Sequence, residues 1–243
     1  MSRLWRLPLV QWLAALVLCG AAFASHPASA SSIQVSPVRV ELSGDQPVMA
    51  IYVTNNGPAA LLVQASVMSW AQAAGEDEYA ATRDVLVNPP QFRLEPGQQQ
   101  LVRFGLANRQ ILGPNEGSYR AFLQEVPETP PQGATALQTV LRISVPVFIA
   151  PNGGARPGGA WAAAKQGGSV VLRFQNTGNI HLQLGKMRVV DGERTLATIE
   201  VGGYVLPGQT RDWPLAGVGS LPAGAKIAAE SDQGGVEQVI GGH

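Results

Sequence analysis

Few residues in the 243-residue chain have types and spacings suited to catalysis. His26 lies in an N-terminal apolar region, His243 is the last residue, and His181 stands at the predicted start of a strand. No Gly-x-Ser-x-Gly nucleophile motif occurs, and Gly185-Lys186 lacks the upstream glycine of a phosphate-binding loop. We therefore predict that the protein is not an enzyme and that His181 is a surface or packing residue.

Metal and cofactor chemistry has little support in the sequence. The acidic run Glu76-Asp77-Glu78 lacks the regular spacing of calcium ligands and is predicted to lie in a solvated loop. Cys19 is the only cysteine, and Leu18 before it does not fit lipid attachment. The composition therefore predicts no cofactor, no metal site and no disulfide in the mature chain.

The first thirty residues have the features of a secretory signal. Arg3 and Arg6 precede an apolar run over 7–24, and Ala28-Ser29-Ala30 gives a small-residue cleavage pattern. The alternative, a retained membrane anchor, conflicts with Gln11 and with the shortness of the run. We predict a signal peptide over 1–30 and no membrane insertion after cleavage.

The charge of the mature chain disfavours polyanionic partners. Cleavage removes two of the 17 basic residues and none of the 17 acidic ones, so a small acidic excess remains. Nucleic acid and anionic membranes attract basic surfaces, and we therefore expect neither as the main partner.

Short alternating segments separated by Gly, Pro and Asn predict an all-β protein. The Gly- and Pro-rich stretch 151–159 reads as a linker or long loop, which divides the mature chain into domains at 31–150 and 151–243. A turn of helix over Ala160–Lys165 is one alternative within this pattern. The spacing predicts two β-sandwiches and strands at 48–54, 61–70, 99–106, 118–126, 137–149, 169–176, 181–190, 198–206, 210–215 and 226–229.

Two arginines interrupt otherwise apolar rows. Arg39 does so in the first strand region and Arg142 in the last strand of the first domain. Each can be an ordinary solvent-facing residue on a half-exposed strand. The residues alone leave this choice open.

A series of sequence motifs runs along most of the mature chain: Ile33-Gln34-Val35-Ser36-Pro37-Val38-Arg39-Val40, Val53-Thr54-Asn55-Asn56-Gly57, Trp70, Pro89-Pro90-Gln91-Phe92-Arg93-Leu94-Glu95-Pro96-Gly97-Gln98, Leu101-Val102-Arg103-Phe104, Ser118-Tyr119-Arg120, Glu125-Val126-Pro127, the run 137–147, Phe174-Gln175-Asn176-Thr177-Gly178-Asn179-Ile180-His181 and Tyr204-Val205-Leu206-Pro207-Gly208. In this order, the motifs resemble the periplasmic chaperones of chaperone–usher pilus assembly, the PapD-like family, and especially its archaic branch.

The resemblance implies two immunoglobulin-like sandwiches joined at an angle, with a cleft between them. It also implies a periplasmic protein that lends a strand to a pilus subunit and delivers that subunit to an outer-membrane usher. By the same resemblance, Arg39 and Arg142 bind the subunit's C-terminal carboxylate, although the family usually has Lys at the second place. Thr135, Leu137, Thr139 and Leu141 share one face of the lent strand.

One segment departs from the family. Residues 127–136 contain no large apolar side chain, so the usual row of bulky donor residues is thin, and the first strand near Ile33 is another candidate contributor. The alternative function is a non-chaperone immunoglobulin-like binding or structural module of the periplasm or cell surface. An enzyme is a third hypothesis, which activity dependent on His181 would revive.

Overall fold

The computed structural model describes residues 32–127, 140–200 and 202–240. The predicted signal peptide and the predicted donor residues Thr135, Leu137 and Thr139 lie outside these ranges. Within them the chain forms eighteen β-strands, one short 3-10 helix at Arg109–Ile111 and no α-helix. None of the described segments is a helix long and apolar enough to cross a membrane. The prediction of an all-β protein is confirmed.

The N-terminal sandwich contains two sheets. The first has the order β1-β3-β8-β6, and the second has the order β2-β10-β9-β4-β5, with β7 also paired to β4. Side chains that alternate inward from both sheets, including Ile51, Leu94, Phe104 and Leu123, form its fully buried core. The strands are β1 (Ile33–Ser36), β2 (Val40–Leu42), β3 (Val48–Asn55), β4 (Leu61–Ala73), β5 (Glu76–Ala81), β6 (Val85–Asn88), β7 (Gln91–Leu94), β8 (Gln99–Leu106), β9 (Gly117–Glu125) and β10 (Arg142–Ile149).

The C-terminal sandwich has a separate core. One sheet has the order β11-β12-β16, and the other has the order β14-β13-β17-β18, with β15 also paired to β13. Leu172, Met187, Leu215 and Ile227 are buried between the two sheets. The strands are β11 (Gly159–Gln166), β12 (Ser169–Asn176), β13 (Leu182–Asp191), β14 (Arg194–Ile199), β15 (Gly203–Val205), β16 (Thr210–Leu215), β17 (Lys226–Ser231) and β18 (Gly234–Val239).

Two local predictions were wrong, and one alternative is excluded. The segment 160–165 is part of strand β11, because Trp161 and Ala163 alternate inward against β12. The acidic run 76–78 is not a loop but the start of β5, which forms a long hairpin with β4. The single strand predicted over 198–206 is interrupted, so that β14 and β15 pair with different parts of β13.

Each sandwich contains a fully buried asparagine with the same hydrogen bonds. Asn55 and Asn176 each donate through Nδ2 to two backbone carbonyls and accept at Oδ1 from the backbone N–H two residues later. The carbonyls are those of Ala59 and Leu94 for the first asparagine and of Ile180 and Val205 for the second, and the N–H donors are those of Gly57 and Gly178. The asparagine side chain therefore ties two neighbouring chain segments to its own turn in both halves.

Candidate functional site

The pairing of three strands places two arginines on one face of the second sheet. In the centre of this sheet, Val147 is paired with Val40 on one side and with Tyr119 on the other. All three side chains are buried in the core. Since successive residues of a strand point to opposite faces, Arg39 before Val40 and Arg120 after Tyr119 project from the outer face. Two strand spacings, about 10 Å, separate their backbones.

An aromatic cluster lies beside these arginines, between the two sandwiches. It consists of Trp70, Phe148, Tyr204 and Leu206. The Tyr204 ring packs edge-on to Trp70, with 5.3 Å between centroids, and lies 5.9 Å from the Phe148 ring. Because Trp70 and Phe148 come from the N-terminal sandwich and the other two residues from the C-terminal one, this cluster forms an apolar contact between the sandwiches.

Arg120 lies against the aromatic cluster. Its Cζ atom is 3.8 Å from the centroid of Trp70 and 5.1 Å from that of Tyr204, which are cation–π distances. Its buried Nε and the indole Nε1 of Trp70 have no hydrogen-bond partner within the described ranges. Both nitrogen atoms are buried, so their unpaired N–H groups are a cost of this packing.

Arg39 bridges the two sandwiches. Its guanidinium donates to Asp232 Oδ2 at 3.2 Å and to Gln183 Oε1 at 2.7 Å, and it lies 3.6 Å from Glu41 Oε1. Burial opposes the charge of the Arg39 guanidinium, but Tyr204, Asp232 and Glu41 outweigh this effect, so the pKa is raised. Arg39 is therefore a fixed cation in a partly buried position, with about a quarter of its side chain (26%) still accessible.

His181 is buried at the same contact and is a packing residue. Its ring stacks on Phe148 with 3.6 Å between centroids and 9° between planes. Nδ1 lies 2.7 Å from Glu116 Oε2, while Nε2 lies 3.3 Å from Asp232 Oδ2 at an ion-pair distance that does not meet hydrogen-bond geometry. Burial lowers the pKa of His181, but the two carboxylates act more strongly together and raise it. The carboxylates flank opposite ring nitrogens, so the three groups do not converge on a common point where a metal ion would sit.

Gln72 provides a polar link between the sandwiches. Its side-chain amide donates to the carbonyl oxygen of Tyr204 at 3.0 Å and to Asp77 Oδ1 at 2.9 Å, and it accepts from the N–H of Leu206 at 3.0 Å. A neighbouring strand would make the same two bonds to residues 204 and 206. The amide of Gln72 therefore acts as a one-residue substitute for strand pairing.

Arg142 lies on the same face of the sheet but farther along β10. It is paired with Gln124, and its Cζ atom is 4.0 Å from the centroid of Phe122. It lies four positions before Pro146, which is opposite Arg120 and next to Arg39, and four residue steps along a strand span about 13 Å. Arg39 and Arg120 thus lie in one row across the sheet, while Arg142 is exposed outside that row.

One edge of β10 is open over half its length. Strand β2 pairs only with Val147–Ile149, and no described strand pairs with 142–146 on that side. Before β10, the backbone of Leu141 still bonds to Glu125, and its side chain is half-buried. Ile143 and Val145 face the core of the sandwich.

Sequence reasoning singled out Arg39, gave His181 only as a surface or packing residue, and missed Arg120 and Gln72. The signal for Arg120 was present, because it follows Tyr119 and so falls on the outer face of the sheet. No local pattern identifies Gln72 or the buried contacts of His181, because these contacts come from other segments of the chain: Tyr204 and Leu206 for Gln72, and Glu116 and Phe148 for His181.

The profile of the family described as pili and flagellar-assembly chaperone, PapD N-terminal domain, matches residues 32–155. Among curated proteins, the chaperone protein FimB/FhaD of Bordetella pertussis is 28% identical over 133 residues, which cover 52% of this chain and 54% of the relative. The chain thus aligns with about half the length of that curated relative.

Solved structures share the fold along nearly the whole of their chains. A chain of the CsuC–CsuE chaperone–tip adhesion subunit complex of the archaic Csu pili of Acinetobacter baumannii matches with a TM-score of 0.67 at 20% identity, covering 85% of this chain and 97% of its own. A chain of the Salmonella enterica SafA pilin–SafB chaperone complex matches with a TM-score of 0.62 at 20% identity, covering 86% and 96%. These matches confirm the predicted resemblance and the two-sandwich fold.

Proposed function

Because the chain belongs to the family of pili and flagellar-assembly chaperones, we propose that it binds a pilus subunit in the periplasm and delivers it to an outer-membrane usher. This family is a family of chaperones and not a class of enzymes. Chaperones of the chaperone–usher pathway are periplasmic, which agrees with the predicted signal peptide.

The open edge of β10 is the observation that carries the proposal. Over 142–146 its outward backbone groups have no strand partner among the described residues. An extended segment of a subunit can add to this edge by β-augmentation, in which backbone hydrogen bonds supply affinity that depends little on sequence. The chaperone would in turn cover the unpaired edge of the subunit, which otherwise favours aggregation.

The subunit's C-terminal carboxylate is proposed to bind at the cleft end of this edge. Arg39 is the principal anchor, as predicted from the sequence. The predicted second cation, Arg142, is separated from Arg39 by about 13 Å along the strand. Arg120 lies in the same row as Arg39, so this geometry favours Arg120 as the second anchor and Arg142 as a contact farther along the bound segment.

Co-expression with candidate pilus subunits tests the proposal. Removal of one charge-assisted hydrogen bond costs about 1.5–3 kcal/mol, or roughly 10- to 150-fold in affinity. Arg39→Ala is expected to abolish co-purification of the subunit, and Arg120→Ala is expected to weaken it more than Arg142→Ala. Arg103→Ala is the control, because Arg103 is exposed on β8 of the other sheet.

Two results would contradict the proposal. Capture at normal yield by folded Arg39→Ala protein would exclude the carboxylate anchor. Failure of the native protein to retain any subunit with an open groove would instead favour the non-chaperone binding module. Deletion of the predicted donor residues Thr135, Leu137 and Thr139 should also reduce capture if that segment is the lent strand.

A further inference from the structure

The principal anchor already holds a carboxylate in the free protein. Arg39 Nη1 lies 3.2 Å from Asp232 Oδ2, and Asp232 belongs to the turn between β17 and β18 of the other sandwich. Asp232 therefore presents to Arg39 the same chemical group that a subunit would bring. A client carboxylate that binds Arg39 must share this guanidinium with Asp232 or displace it.

Asp232 is in turn shared with a titratable group. Its Oδ2 atom also lies 3.3 Å from Nε2 of His181, while Oδ1 accepts from the backbone N–H of Gln183 at 2.9 Å. The same carboxylate oxygen thus stands between an arginine that is always charged and a histidine that can lose its charge. When His181 is neutral, Arg39 is the only cation of the described residues that contacts Asp232, whereas a protonated His181 competes with Arg39 for this carboxylate.

Resting on the proposed function, we propose that Asp232 occupies Arg39 as a substitute for the client carboxylate, and that protonation of His181 draws Asp232 away and strengthens client binding. His181 and Asp232 are positioning residues on this proposal, because they act through Arg39 and do not contact the client. Chaperone–client affinity would then fall as pH rises.

The other charges around His181 do not reverse this direction. Glu116 is fixed on the far side of the ring and acts on the histidine in the free and bound states alike. Glu41 contacts Arg39 but not His181. The titratable and charged groups that face this network from the packed elements are Glu116 before β9, Asp232 after β17, Arg39 and Glu41 at β2, Arg120 on β9 and Tyr204 on β15.

The size of the effect follows from the geometry. The Asp232 carboxylate lies between His181 and Arg39, so the charge on His181 and a client carboxylate bound at Arg39 are under about 10 Å apart. At an effective dielectric constant of about 20, a charge at this distance changes the affinity for the client on the order of ten-fold. A client carboxylate must also favour protonation of His181, since the coupling is reciprocal.

The test uses the full mature protein and a short fluorescent peptide of alternating valine and threonine with a free C-terminal carboxylate. Affinity is measured at about pH 6 and about pH 8.5, on either side of the transition expected for a histidine with a raised pKa. The same peptide with a C-terminal amide controls for strand addition without a carboxylate. Calorimetry in buffers of different ionisation enthalpy measures proton uptake on binding.

Native protein is expected to bind the free-acid peptide about ten-fold more tightly at the lower pH and to take up a fraction of a proton. His181→Gln is expected to abolish both effects, and Asp232→Asn, which keeps the acceptor for Gln183, is expected to tighten binding at high pH. Glu41→Gln is the matched control, because it removes a carboxylate from Arg39 but should leave the pH profile unchanged.

The possible failures are distinguishable. If the native protein prefers neither the free-acid peptide to the amide nor any subunit at either pH, the proposed function itself is wrong. If it prefers the free acid with equal affinity at both pH values, or if Asp232→Asn weakens binding in a folded protein, the proposed function stands and the role of Asp232 and His181 is refuted.

Discussion

Replacement of Gln72 by alanine should uncouple the two sandwiches. The side-chain amide of Gln72 is buried and makes two hydrogen bonds to the backbone of the other sandwich, to the carbonyl of Tyr204 and from the N–H of Leu206. Alanine removes the side-chain amide and leaves the Tyr204 carbonyl and the Leu206 N–H without these partners. The N–H of Leu206 is the more costly loss, since Leu206 is 4% exposed.

The loss of these two hydrogen bonds sets the expected loss of stability in Gln72→Ala. A buried polar group that loses its partner costs about 1–3 kcal/mol, and the Tyr204 carbonyl is only partly buried, so we expect a total of about 2–4 kcal/mol. This loss affects the contact between the sandwiches and not either core. Consequently, the sandwich cores should keep their intrinsic stability while their cooperativity falls.

Differential scanning calorimetry measures this effect directly. Native protein should show strongly overlapping transitions, and Gln72→Ala should separate them by lowering the transition of the less stable sandwich. Gln64→Ala is the control, because Gln64 is exposed on the same strand. A Gln72→Ala protein whose transitions and total stability stay within about 0.5 kcal/mol of the native values would refute the strand-substitute role.

Three further predictions concern stability. Asn176→Ala should destabilise the C-terminal sandwich by about 2–4 kcal/mol in denaturant titrations, because three backbone groups lose their hydrogen-bond partner. Thr177→Ala is the control, because Thr177 is the exposed neighbour and its replacement should have little effect. Equal effects of the two substitutions would contradict the structural role of the Asn176 side chain. Gly178→Ala should lower the melting temperature markedly, because the added Cβ would lie 2.4 Å from the carbonyl oxygen of Arg156. Gly185→Ala is the control, because its added Cβ meets nothing closer than 3.6 Å. An unchanged melting temperature for Gly178→Ala would show that this turn can shift. His181 has a raised pKa in the folded state, so its contribution to stability is complete below about pH 6.5 and is lost as pH rises through the raised value. Melting curves should show this loss of stability in native protein but not in the His181→Gln variant. An identical pH dependence in the two proteins would exclude this contribution of His181.

The strands and the two-sandwich architecture could be predicted from the sequence, but most contacts between the sandwiches could not. Alternation and turn residues predicted most strands, because both signals are local and burial on one face imposes a period of two. The alternation also identified Arg39 as a cation on an apolar strand. The strand at 160–165 was missed because alanine-rich segments carry little periodic contrast, so the pairing partner decides the structure.

The remaining residues of the candidate site come together only where the two sandwiches pack against each other. Arg120 gains its importance from Trp70 and Tyr204, and the burial of His181 depends on Phe148, a residue of the other sandwich. These contacts join segments that are far apart along the chain, and a single sequence does not show which distant segments lie close together in space. The proposal that Thr135, Leu137 and Thr139 form the lent strand stays a prediction.

The path of the chain near its first strands has a consequence for the protein itself. After β1 pairs with β3 in one sheet, the chain leaves at Ser36, passes through Pro37 and the exposed Val38, and joins the opposite sheet only at Val40. Had it run beside β10 from the outset, it would have covered that edge internally and given up the four residue pairs between β1 and β3. The crossing therefore exchanges pairing on β10 for pairing on β3, and a variant whose chain followed β10 from Ile33 onward would have no open backbone edge at 142–146.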